Sequence, residues 1–227
     1  MKSRKLTQRM DVGEAILAAA QLTDTTTVAD PLRAFVDAHA VFTEAQTAVA
    51  VAQRGVDEVA DDIGNLATHM HEAVDTLVRS LMMDGGERPN PLVAYGDTSS
   101  YALNRLVPAE AAPAVRRLLK VVFNDRNLSA TSRAAAESAD RTAQAVVDAL
   151  PALEPLEAKL REARRRRDTL GDRWDEALTV LRHGARYADS AGAHGLYDVL
   201  FGRARRRPSR KNKRATAAES DPNAAAA

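Results

Sequence analysis

The chain contains no cysteine, which excludes disulfide bonds, thiolate metal sites and cysteine nucleophiles together. Nothing therefore points to an oxidising compartment. Aromatic residues amount to only 4%, and the apolar content rests on Ala, Leu and Val, which suit closely spaced helices better than a thick globular core or a sheet. No run of about 18 apolar residues occurs, so no membrane span is expected. Near the N-terminus a basic stretch precedes an apolar patch, but Asp11 and Glu14 interrupt it and Ala15 to Ala20 is too short for a secretory signal core. The expected location is cytoplasmic. Also missing are a Ser/His/Asp arrangement and a paired-carboxylate pattern, and Gly85-Gly86 lacks the Lys-Ser/Thr ending of a phosphate-binding loop. No catalytic residue and no cofactor is called for, and a non-enzymatic protein is the expectation.

What the sequence does have is a seven-residue apolar repeat over two long stretches. Phe35, Phe42, Val49, Val56, Ile63, Met70 and Leu77 hold one position, and Ala38, Ala45, Ala52, Val59, Leu66 and Ala73 hold the other, three residues on. In the second stretch Val146, Leu153, Leu160, Trp174, Leu181 and Ala188 alternate with Ala149, Leu156, Ala163, Leu170 and Ala177, with Arg167 as the one polar intruder. This spacing is a coiled-coil seam. The predicted fold is all-α: a long antiparallel coiled-coil hairpin with rods over about 31–84 and 129–190, the first reaching roughly 80 Å. Short helices are expected over about 6–22, 99–107, 109–123 and 194–201, making one helical domain of residues 1–202.

Punctuation along the chain supports these limits. The β-branched Thr25-Thr26-Thr27 disfavours helix, and Asp30 followed by Pro31 is a cap followed by a residue suited to the first helical position. Asp84-Gly85-Gly86 and Pro89-Asn90-Pro91 stop the first rod. Ser129 is expected to cap the second, and Pro151 with Pro155 should kink or break it. The two rods resemble copies displaced by 104 residues, in phase at their seams, which raises an internal duplication. At corresponding positions the acids Asp57, Glu58, Asp61 and Asp62 meet Arg161, Glu162, Arg165 and Arg166, so the clusters are expected to face each other and choose the register.

Candidate chemistry is sparse. His69, His71, Glu72 and Asp75 cluster on the first rod, and His71 with Asp75 has the i, i+4 spacing of two ligands on one helix face. A metal or small-ligand bundle there is the least favoured reading, because the matching positions of the other rod offer only Arg173 and Asp175. Arg164 to Arg167 fan around the helix, to be neutralised by facing acids or to form an anion-binding belt. The sharpest element is the tail. The formal net charge of +1 hides eight cations, Arg203, Arg205, Arg206, Arg207, Arg210, Lys211, Lys213 and Arg214, with no acid among them. They leave 24 bases against 29 acids in residues 1–202. Residues 203–227 are expected to be disordered, and their basic part is the candidate polyanion-binding segment. Two functions follow: a cytoplasmic scaffold or adaptor acting through protein partners or self-association along the coiled coil, or a nucleic-acid-associated protein held by its tail.

Overall fold

The computed structural model describes residues 2–86, 89–96 and 98–205, apart from the side chains of residues 2–6 and 203–205. Among these the protein is all-α, with no strand. The helices are α1 (Lys2–Ala20), α2 (Ala29–Met83), α3 (Ser100–Asn104), α4 (Pro108–Val122), α5 (Ala130–Ala149), α6 (Leu153–Ser190) and α7 (Leu196–Arg205). Packing divides the chain into two compact units, one made of residues up to Gln46 together with those from Arg167 onward, the other of Thr47–Arg166.

In the unit Thr47–Arg166, α2 runs antiparallel to α5 and α6. Gly55 lies against Leu156, whereas Asp84, further along α2's direction, accepts hydrogen bonds from the Ser132 hydroxyl (2.6 Å) and the Ser129 amide (3.4 Å). Ser129 caps α5 as expected, its hydroxyl accepting from the Ser132 amide at 3.1 Å. The second rod breaks at the 3-10 turn Leu150–Ala152. Pro151 falls in that turn and Pro155 in the first turn of α6, where a missing donor costs nothing. One core unites α2, α3, α4 and α5, with Ile63, Met70, Val74, Leu77, Val115, Leu119 and Val146 all buried. The alanines Ala136, Ala139 and Ala143 of α5 are fully buried in it and let the helices close tightly.

In the other unit, α1 and α7 pack together beside the first turns of α2 and the second half of α6. The antiparallel sense is the same, for Pro31 lies against Gly184 and His39 against Trp174. Ile16, Phe35, Phe42, Trp174, Leu181, Leu196 and Leu200 form its core.

Several boundaries and contacts differ from expectation. Helix α2 begins at Ala29, after a 3-10 turn over Thr26–Val28, so Asp30 lies inside the first turn beside Arg33 (4.0 Å) and does not cap it. The amide of Thr26 instead bonds the Asp24 carboxylate at 3.0 Å, an Asx turn that ends the Thr-rich link. Helix α3 is shorter than expected. Helix α7 reaches Arg205, so Arg203 and Arg205 stand on helical backbone and not in a disordered tail. It starts at Leu196 because Gly192 and Gly195 both take left-handed conformations (φ 119° and 85°), which only glycine adopts without strain.

The charge-selected register is not the one adopted. Arg164 donates to the Gln53 side chain at 2.7 Å, about two helical turns from Asp61, and Arg161 pairs within its own helix with Glu157. Exposed ion pairs are worth about 0–1 kcal/mol, whereas each buried seam side chain contributes about 1.5–3 kcal/mol. The apolar seam therefore sets the register, and the charges accept what it leaves.

Ile63, 4% exposed in the middle of the core, offers a direct check. Replacing it by Asp places an unpaired charge among apolar side chains and should cost at least about 3 kcal/mol. The thermal midpoint followed by circular dichroism should fall by roughly 6–12 °C; an unchanged midpoint would remove Ile63 from the core.

Candidate functional site

A gathering of polar and aromatic groups lies where α1, α2 and α6 meet, in the unit built from residues up to Gln46 and from Arg167 on. Each helix contributes one face by its i, i+3, i+4 spacing: Arg9, Gly13 and Ile16 from α1, Phe35, His39 and Phe42 from α2, Gly171, Trp174 and Asp175 from α6. The indole N–H of Trp174 donates to Nδ1 of His39 at 3.1 Å. That bond assigns the remaining imidazole proton to Nε2. His39 stacks on Phe35 with ring centroids 6.0 Å apart, while Trp174 tilts against Phe35 (5.4 Å) and Phe42 (6.3 Å).

Two glycines make these approaches feasible. A β-carbon at Gly13 would overlap the His39 ring, and one at Gly171 would overlap the Arg9 guanidinium. Arg9 forms a two-point ion pair with Asp175, Nε to Oδ1 at 3.1 Å and Nη2 to Oδ2 at 2.5 Å, and lies 5.7 Å from the centre of the Phe42 ring. The Asp175 bond, reinforced by the charges of Asp175, Asp172 and Asp168 against a smaller cost of burial, raises the Arg9 pKa and keeps it charged. A cleft of about 290 Å³ opens beside this pair, lined by Gln8, Arg9, Val12, Trp174, Asp175, Leu178 and Arg182. The guanidinium is satisfied by Asp175 and the indole N–H by the imidazole, so the cluster works as a fastener for α1 whose one titratable ring is His39.

Burial lowers the His39 pKa, opposed by the nearby Glu14 carboxylate. Protonation at Nδ1 would also set two donors against each other, Trp174 Nε1–H and the new Nδ1–H.

The seam arginine Arg167 is buried, 8% exposed, and is neutralised by its neighbour Asp168 at 2.7 Å. Thus neither Arg164 nor Arg167 pairs with the acids of the first rod. In the unit Thr47–Arg166, the Tyr95 hydroxyl donates to Asp125 at 2.8 Å. Burial, that bond and the charges of Asp125 and Asp84 push its pKa up to about 12.

The histidine cluster does not form a ligand set. His69 lies 3.4 Å from Glu72, both exposed, while Nε2 of His71 is buried without a hydrogen-bond partner. No group of three or more His, Asp or Glu able to hold a metal occurs among the described residues. Of the polyanion candidates, only the backbone of Arg203 and Arg205 is described; Arg206, Arg207, Arg210, Lys211, Lys213 and Arg214 lie outside the described residues. Among the described residues no helix is long and apolar enough to cross a membrane. No protein-family model, curated protein or solved structure matches the chain.

The fastener implies acid sensitivity. The unfolded chain takes up a proton on His39 near pH 6.5, before the folded one does, so the stability tied to neutral His39 is full above that pH and declines as the pH falls towards the lowered folded value. Trp174 fluorescence during urea unfolding should report a falling midpoint between about pH 7 and 5, with the decline flattened in His39→Gln. Gly13→Ala should cost about 1–3 kcal/mol at pH 7, because the His39 ring is fenced by Phe35 and Trp174.

Proposed function

We propose that the protein is a non-enzymatic scaffold or adaptor of the cytoplasm that acts through protein contacts along and beside its coiled coil, with partner proteins or a second copy as the ligands. The observation that carries this reading is the set of large apolar side chains left outside the seams. Met83, Val93, Tyr101, Val107 and Val121, all in the unit Thr47–Arg166, are exposed between residues 83 and 121, Met83 at 86% and Tyr101 at 69%. Single exposed apolar residues are ordinary, whereas a concentration of them marks a contact surface. Tyr101 is further held by Arg105, whose guanidinium lies 5.6 Å from the ring centre, and tyrosine and arginine are both enriched among the residues that carry the energy of protein interfaces.

Affinity capture with the full chain from nuclease-treated lysate, combined with sedimentation velocity on the pure protein, tests this reading. Tyr101→Glu with Val107→Glu, both on exposed positions, should leave helicity intact and abolish nuclease-resistant partners or self-association. Binding that ignores these changes, or that nuclease removes entirely, would reject it.

A second reading, polyanion binding through the cations of 203–214, is favoured by their density: eight cations within twelve residues and no acid. Nothing in the segment offers an aromatic for base stacking, so any affinity would be electrostatic. Removing residues 206–227 keeps every described helix and takes away six of the eight cations. For a protein that binds RNA or DNA this way, the salt dependence of the affinity should flatten markedly in the shortened chain; an unchanged slope would place the contacts elsewhere.

A further inference from the structure

We propose that the outer surface of α4 carries a binding site for a small organic phosphate, with Arg117 shared between a cationic cavity that takes the phosphate and an apolar cavity that takes the organic group. The cationic cavity, about 410 Å³, is lined by Pro113, Arg116, Arg117 and Lys120 of α4 and by Val147 of α5. The apolar one, about 270 Å³, is lined on α4 by Ala114, Arg117, Leu118 and Val121, with Tyr95 and Leu103 among the facing residues. Helical spacing explains the division, because residues 113, 116 and 120 and residues 114, 118 and 121 form adjacent stripes that flank position 117.

The charge balance favours an anion. From Ala111 to Asn124 the sequence holds three cations and no acid. Of the carboxylates nearby, Asp140 offsets Arg116 at 3.2 Å, Asp148 accepts from Gln144 at 2.6 Å, and Asp125 accepts from the Tyr95 hydroxyl and the Asn127 amide, which leaves Arg117 and Lys120 as the cations open to a ligand. Arg117 and Lys120 make no ion pair among the described residues. They offer the two complementary donors for a phosphate, a planar fork and a point charge. The wall of the apolar cavity is set in advance, since the Asp125 bond fixes the Tyr95 ring and Gly96 packs closely on Leu118. Such preorganisation lowers the cost of binding. Two adjoining cavities exceed what a bare oxyanion can fill, and the ligand that matches both is a phosphate ester of a compact aromatic or alkyl group.

Site-resolved nuclear magnetic resonance of the full chain decides the matter, with sodium phosphate, phenyl phosphate and phenol as probes. Phenyl phosphate should shift the amides of 114–121 and 147 and bind at least about five-fold more tightly than sodium phosphate, with phenol weakest. Arg117→Gln should weaken phenyl phosphate about ten-fold, the effect of losing one charge-assisted contact. Val121→Ser should erase the advantage of the phenyl group and leave the phosphate affinity unchanged. Both positions are exposed, so the fold is not at stake. Equal affinity for the two phosphates, shifts that survive Arg117→Gln, shifts confined to residues 203–214, or no shift at all would overturn the proposal.

Discussion

The constraint on which everything else rests is the burial of a narrow seam between antiparallel helices. Large side chains at one heptad position, Phe35, Phe42, Ile63, Met70 and Leu77, are buried, and the alternate position is mostly alanine. Small residues there allow close approach, and close approach makes the large ones fit. With few aromatics the chain has little other apolar bulk to spend. The bulk it has is concentrated at two places: Phe35, Phe42 and Trp174 in one unit, and the aliphatic cluster of α2, α4 and α5 in the other.

The polar groups follow from that economy. Where a helix end or a cation must be covered, the chain places a partner within reach of the existing register: Asp84 for the start of α5, Asp168 for Arg167, Asp175 for Arg9. None of these contacts determines the fold alone. Each removes a cost that burial would otherwise impose.

Periodicity made the buried faces legible in the sequence. Every seam residue it names is buried or half-buried, and the break at Pro151 and the Ser129 cap are both present. Register was not legible, because periodicity specifies which face is buried and not which turn meets which, and the exposed charges used to choose it are too weak to do so. A third buried stripe, Ala67, Val74 and Leu81, escaped because a two-position seam assumes one partner, whereas α2 shares its core here with both α4 and α5. The α1 fastener was also missed. Its signals were there: Gly13 and Gly171 each cost about 1 kcal/mol inside a helix unless something packs against them, and His39 sits one turn from Phe35.

The division of the chain into an uninterrupted unit, Thr47–Arg166, and one assembled from both flanks orders events during synthesis. Joining Arg9 to Asp175 from an unfolded chain closes a loop of 166 residues. Once the inner unit has formed, the Gln53–Arg164 contact already holds its two ends together, and the flanks need close only a short remainder. Loop entropy grows with the logarithm of length, so this prior closure, which cuts the loop about three-fold, saves about 1 kcal/mol. A nascent chain still lacking α7 can complete the inner unit, while α1 waits on the ribosome for a partner that has not been made.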